Sequence, residues 1–500
     1  MKTNYYFYIL ILLFLNCNDK NEKTDPISKE KFLNEQKEFG TPIFKYLKTK
    51  FYTLHSLNQD GFTKKIDSLK NIFTNHLQKN KKNLDSKTYN YESLAIRVSF
   101  DKYILEYPKY HKRFTGEKTI FSKINQKRFD INIHDFNQPK FLSNKYFISY
   151  AESFISIEST KKLRNGDYNK MDNQQLHANW NVIDTFFTNS EVNTYWKEKY
   201  LYEHIDNKGV KNSGDFYNNL TTNNKNNDAL TKLINRYKEQ FNERANHVIE
   251  IYKTVDNFEL EMHLFLPDKN VFKGIRPTIV QFHGGSWSGG NPFWYFSTAK
   301  EYAKNGWVVA VVDYRIKAKQ GTYPFEAVKD AKSAIRWLRE NAKKYTINPN
   351  KILATGNSAG GHLALAATLV ENWNEKTDNL KINAKPNFLI VNAAVYDLTS
   401  KNTRWIREHI DYKDMAKEIS PNHLTKKTNT KMLLIHGEKD MNCPYANANN
   451  FYTKMKYLGN DIQFYTVKDA EHYIWFGKYS SEVSKITAAY IQQQKIYSSQ

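Results

Sequence analysis

The pentapeptide Gly356-Asn357-Ser358-Ala359-Gly360 sets a hydroxyl between two glycines, where an apolar β-rich run, Ile352 to Thr355, gives way to an apolar helical one, Ala359 to Val370. A serine at such a junction is a candidate nucleophile for acyl transfer, because the tight turn lifts its Oγ clear of the main chain. The turn requires that positions 356 and 360 carry no Cβ and that Ser358 take a positive φ, at a cost of about 1–3 kcal/mol for an ordinary residue. A serine hydroxyl is a weak nucleophile until a base takes its proton. The rest of the chain must therefore supply a histidine, a carboxylate to orient it and donors for the developing oxyanion.

Each of these has a candidate. His472, in Ala470-Glu471-His472, follows the β-rich run Ile462 to Val467, and Asp440, in His436-Gly437-Glu438-Lys439-Asp440, follows the run Lys431 to Ile435. Serine, then acid, then base is the chain order that a nucleophile elbow of this kind imposes. Glu438 and Asp469 are neighbouring carboxylates that compete with Asp440 for the orienting role. Upstream, His283-Gly284-Gly285-Ser286-Trp287 follows the run Thr278 to Phe282; two adjacent glycines let main chain approach a substrate carbonyl closely. The amides of Gly284 or Gly285, with that of Ala359, are the expected oxyanion donors, each lowering the barrier by about 3 kcal/mol. Trp287 is the expected substrate-binding residue beside them, with Phe293, Trp294 and Tyr295 just beyond. Cys443 reads as a small apolar side chain, and His436 and His362 as packing residues.

Together these segments resemble the carboxylesterase branch of the α/β-hydrolases, which includes hormone-sensitive-lipase-like esterases and the feruloyl- and acetyl-xylan-esterase-like (BD-FAE-like) enzymes. The resemblance runs from about Val248 to Tyr479, roughly half of the chain. It is carried by the His-Gly-Gly loop with its Trp287-Ser288-Gly289-Gly290 continuation, by Asp313-Tyr314-Arg315 after a strand, by Pro324 leading into a helix with Asp330-Ala331, and by Ser358-Ala359-Gly360-Gly361-His362. It implies an α/β-hydrolase fold and a serine ester hydrolase working through an acyl-enzyme, with neither metal nor cofactor. The implied substrates are small esters or acylated polysaccharide, and the Asp-Tyr-Arg triplet is implied to be structural. Asn357 stands where that branch often has an acidic residue or serine.

The elements that must position these residues follow from periodicity. Past about Ala245, short β-rich runs alternate with amphipathic segments, the texture of a mainly parallel sheet flanked by helices. A hairpin is expected at Val248 to Tyr252 and Leu260 to Leu266 around Asp256-Asn257. Strands are expected at 278–282, 307–312, 352–355, 388–391, 431–435 and 462–467, and helices at 325–344, 359–370, 446–458 and 480–493. The segment Tyr396 to Lys427, with Trp405, Ile406, Ile410, Tyr412 and Met415, is long enough for a small cap or a connecting helix. Before Ala245 the chain is rich in Lys, Asn, Tyr and Phe and poor in Gly, with apolar stripes such as Phe44, Leu47, Phe51; Ile66, Leu69, Phe73; and Leu230, Leu233, Ile234, Tyr237. The stripes predict a mainly helical region over 18–244, interrupted by an Asn-rich loop at Asn218 to Asn227.

The 500 residues carry 74 Lys and Arg against 52 Asp and Glu, a net charge of +22. The basic residues are spread over both halves and form no arm or nucleic-acid motif, so they read as a solvated surface and no nucleic-acid partner is expected. Lys2 followed by the uncharged run Tyr5 to Leu15 fits the apolar region of an export signal and is too short for a membrane span. The run ends at Phe14-Leu15-Asn16-Cys17, which resembles the lipobox of bacterial lipoproteins. That resemblance implies residues 1–17 as signal, Cys17 as lipid anchor, and a membrane-tethered protein facing the periplasm or cell surface, or else a secreted one. Two rival readings are a prolyl-oligopeptidase-type peptidase, against which the helical, non-repeating first half argues, and a non-catalytic binding module.

Overall fold

The computed structural model describes residues 26–224, 227–399 and 415–497. Cys17 with the export signal, and most of the expected cap including Trp405, Ile406, Ile410 and Tyr412, lie outside the described residues. Among those described, no helix is long and apolar enough to cross a membrane.

Eight strands form one sheet: β1 (Val248–Val255), β2 (Phe258–Phe265), β3 (Arg276–Phe282), β4 (Val308–Val312), β5 (Ile347–Asn357), β6 (Phe388–Asn392), β7 (Lys431–Gly437) and β8 (Ile462–Val467). Their order is β1-β2-β4-β3-β5-β6-β7-β8. β1, β2 and β4 pair antiparallel, and β4, β3 and β5 to β8 run parallel. Every residue of β3 and β4 is buried, as expected of strands covered on both faces. On one face Val280, Phe282, Ile352 and Ala354 pack with the helices Pro324–Glu340 and Ala359–Leu369. On the other, Ile279, Val309, Val311 and Leu353 pack with Phe296–Lys304 and Ser480–Gln493.

The predicted elements are all present. β8 and the helix 480–493 keep their expected bounds. The other differences are at ends: β5 begins at Ile347, and the helix after Pro324 stops at Glu340. The Asn-rich stretch departs further, because Asn218 to Asn223 belongs to the helix Gly214–Asn223 and leaves only a short break before Asp228–Glu243. The amides there act at a helix end: Asn227 accepts the Leu230 N–H and caps the second helix.

The chain divides into two compact units. One holds the sheet and takes in residues 168–176 and everything from Glu198 on; the other comprises the described residues to Asp167 together with His177–Lys197. Strands begin just past Ala245, but the compact unit around them begins earlier in the chain. Its helical residues support the loop after β3: Gly290 N donates to Asn207 O at 2.8 Å, and Asn291 Nδ2 donates to Ile205 O and Gln240 Oε1, both at 3.0 Å. The other unit is helical, with Leu47, Ile66, Leu69 and Phe73 buried as their stripes predict. Its helices start on side-chain caps from Asn58, Asp85 and Asn144, so the Asn-rich composition has a structural use.

Beneath the strand ends lies a buried ion cluster. Asp330 bonds Lys253 Nζ at 2.6 Å and Arg315 Nη2 at 2.7 Å, while Glu375 takes the same two cations at 2.9 Å each. A buried charge stripped of its partners costs far more than the pair contributes. Asp330→Ala, which leaves Lys253 and Arg315 with Glu375 as their one remaining carboxylate partner in the cluster, should lower the unfolding free energy by about 3 kcal/mol in urea titrations followed by circular dichroism; a change under about 1 kcal/mol would mean the cluster is solvated.

Candidate active site

The site forms at the C-terminal ends of β3, β5, β7 and β8. Parallel register sets Phe282 beside Gly356, so the loop after β3 abuts the turn after β5. Ser358 occupies that turn with φ 54° and ψ −119°, the strained geometry expected of it. The absence of a side chain at Gly360 is what permits this contact, since a Cβ there would overlap the carbonyl oxygens of Phe282 and His283. Asn392 Nδ2 donates to Asn357 Oδ1 at 3.0 Å, which ties the elbow to β6 and gives Asn357 its role.

Gly284 lies against the elbow, its Cβ position only 3.7 Å from Ser358 Cβ. Gly285 has φ +115°, which a side chain would resist, and among the described residues no carbonyl takes the N–H of Gly284 or Gly285. The helix-terminal Ala359 likewise has an N–H that no carbonyl takes among the described residues, as the first turn of a helix allows. The Asp-Tyr-Arg triplet holds this loop from below. Tyr314 Oη donates to His283 O at 2.6 Å and stacks on the His283 ring; Arg315 enters the ion cluster; Asp313 pairs with Lys319 at 2.9 Å.

Asp440 and His472 meet as expected, with His472 Nδ1 2.8 Å from Asp440 Oδ2, both side chains buried. Glu438 turns away to accept the Asp469 amide, and Asp469 pairs with Lys439 at the surface, so neither competes for the imidazole. Asp440 accepts only: the amides of Asn442 and Cys443 bond Oδ1, each at 2.8 Å, and His436 Nε2 approaches Oδ2 at 3.3 Å. Burial alone would raise the Asp440 pKa, but the hydrogen bonds from His436 and His472 outweigh it and bring it down to about 2.

One expectation changes. Trp287, expected to bind substrate, is 2% exposed and packs edge-on against His362 at 5.0 Å between ring centres, so it builds the core under the loop. Trp294 is partly exposed but spends its indole N–H on Asp206 O. Cys443 is buried in the apolar core, as its reading as a small apolar side chain expects, and its Sγ lies within 4.8 Å of ligand atoms of both Asp440 and His472. These three could in principle hold a metal ion. Burial and the Asp440 charge push the thiol well up, however, and the carboxylate and imidazole are bonded to each other, so the set is poorly prepared to release protons to a metal. His362 Nε2 donates to Ile419 O at 2.7 Å, and the ring has the packing role expected of it. Sequence reasoning missed the second histidine on Asp440, although His436 lies four residues before it.

This geometry has relatives. Residues 262–455 match the family model described as BD-FAE. This part of the chain has the α/β-hydrolase fold. The chain is 29% identical over 217 residues to esterase LipQ of Mycobacterium tuberculosis, covering 39% of this chain and 50% of that one. It is 31% identical over 155 residues to an arylesterase of Saccharolobus solfataricus, covering 31% and 47%. The chain thus spans about half the length of these relatives. A solved structure, native esterase 2 of Thermogutta terrifontis, aligns with a TM-score of 0.47 at 27% identity over 50% of this chain and 94% of that one.

The depressed Asp440 carboxyl carries a pH signature. Its folded pKa, about 2 against an ordinary 3.8, lies below the unfolded one, so the stabilisation is complete above pH 3.8 and disappears as pH falls towards 2. The shift is worth roughly 2 kcal/mol. The unfolding free-energy difference between the native chain and Asp440→Asn should therefore shrink between about pH 4 and pH 2; a difference independent of pH would show that the carboxylate is not held as described.

Proposed function

We propose that the chain is a carboxylic ester hydrolase that works through an acyl-enzyme on Ser358. The observation that carries this reading is the 2.8 Å bond between Asp440 and His472 beside a serine at positive φ. The bond from Nδ1 to Oδ2 fixes the tautomer, which leaves Nε2 free to take the serine proton. The bond from the Ser358 hydroxyl to the imidazole forms as substrate binds, since such catalytic bonds commonly tighten only with substrate present. Attack on the acyl carbon then places the oxyanion against the amides of Gly285 and Ala359, with Gly284 beside them. His472 returns the proton to the leaving alcohol, and water repeats the sequence to free the acid.

The esterase names of the relatives support this reaction class. We further propose acylated carbohydrate as the natural substrate and an exported, lipid-anchored location through Cys17. The first rests on the BD-FAE match and the second on the apolar run before that cysteine.

Purified protein should turn over short-chain aryl esters, and Ser358→Ala should reduce kcat/KM by at least about 10⁴-fold. An Ala variant within about tenfold of the native chain would mean that the nucleophile lies elsewhere. Acetyl-ester turnover should exceed prolyl-amide turnover, and the reverse preference would favour a peptidase. Fractionation of expressing bacteria should find the native chain with membranes and Cys17→Ala in the soluble fraction; equal partition of the two would remove the anchor from the proposal.

A further inference from the structure

His436 is the penultimate residue of β7, with none of its surface exposed, four residues ahead of the acid. Its Nε2 lies 2.7 Å from Cys443 O and 3.3 Å from Asp440 Oδ2. Both neighbours are acceptors, so Nε2 carries the proton and shares it between them. Nδ1 is buried with no hydrogen-bond partner among the described residues, and the ring is packed by Tyr396 and Tyr445 at 5.8 and 6.2 Å.

The two acceptors are the ends of one turn. Asp440 Oδ1 already takes the amides of Asn442 and Cys443, so the carboxylate closes the turn from inside, and the histidine closes it from the strand side through the Cys443 carbonyl. Four donors, two amides and two imidazoles, therefore reach Asp440. A carboxylate offers about four lone-pair directions, and with all of them taken its plane is fixed. That plane decides where Oδ2 points, and so where the His472 ring stands relative to Ser358.

We propose that His436 is a positioning residue for Asp440, sharing one Nε2 proton between the Cys443 carbonyl and Oδ2 so that the carboxylate stays aimed at His472. It touches neither substrate nor reacting atoms. The inference rests on the ester-hydrolase reading for its kinetic test, and the site geometry carries it independently of that reading. Nε2 is the nitrogen that matters, and glutamine places an amide N–H near the same point, whereas leucine fills similar space without a donor.

The kinetic test compares the native chain with His436→Leu and His436→Gln on a short-chain aryl ester. His436→Leu should lose kcat by about 10- to 100-fold with KM changed by less than about twofold, and His436→Gln should recover to within about fivefold of native. A Leu variant as fast as the native chain overturns the proposal, and so does a Gln variant as slow as Leu, which would make the role one of shape. A native chain with no ester turnover overturns the ester-hydrolase reading instead. In that case, or if the variants do not fold, the inference is decided on the native full chain labelled with ¹⁵N-histidine. The buried ring assigned to His436 by its contacts to Tyr396 and Tyr445 should carry its proton on Nε2; a proton on Nδ1 overturns it.

Discussion

A single hydrogen bond between two buried side chains, Asp440 Oδ2 to His472 Nδ1, sets the terms for the rest of the molecule. A buried carboxylate is tolerable only when its lone pairs are met, and here two amides of its own turn and a second imidazole meet them. The compensation is large enough to reverse the effect of burial, leaving Asp440 charged at any physiological pH. In the proposed reaction, a lasting negative charge on Asp440 beside Nδ1 would let the imidazole accept a proton at Nε2.

The sheet delivers this bond. β7 and β8 are adjacent and parallel, with Gly437 opposite Val467, so the loops that carry Asp440 and His472 leave the same edge side by side. Two strands away, β5 leaves the sheet through the elbow, and β3 beside it supplies the glycine loop. Parallel pairing puts all four loops at one end. The helical residues from Glu198 to Glu243 add a second support, since their carbonyls take the Gly290 amide and the Asn291 side chain and so fix the far end of that loop. The site is thus built on rigid strand ends, braced beneath by Asp330, Lys253, Arg315 and Glu375.

Much of this was legible in the residues because the constraints are local and steric. The glycines at 356 and 360 announce a turn too tight for side chains, and the unbroken apolar run of β4 announces a strand covered on both faces. What escaped prediction depends on three-dimensional neighbours. Trp287 beside an oxyanion loop looks like a pocket wall, but the chain folds it inward onto His362. Asn218 to Asn223 have poor helix propensity, yet they sit in a helix held by packing, as Phe216 and Leu220 are buried. The compact unit's reach back to residues 168–176 and 198–244 is invisible to composition, because those residues have helical texture and join the sheet only through contacts such as Asn291 with Gln240. His436 escaped for a related reason: a histidine ending a strand looks like packing until the turn after it curls the carboxylate back onto its ring.

The most direct test of the account is covalent. The purified chain treated with a fluorophosphonate, digested and analysed by mass spectrometry should carry one adduct, on the peptide containing Ser358, and His472→Ala should abolish its rapid formation. Rapid labelling of a different residue, or undiminished labelling of Ser358 without the imidazole, would contradict it.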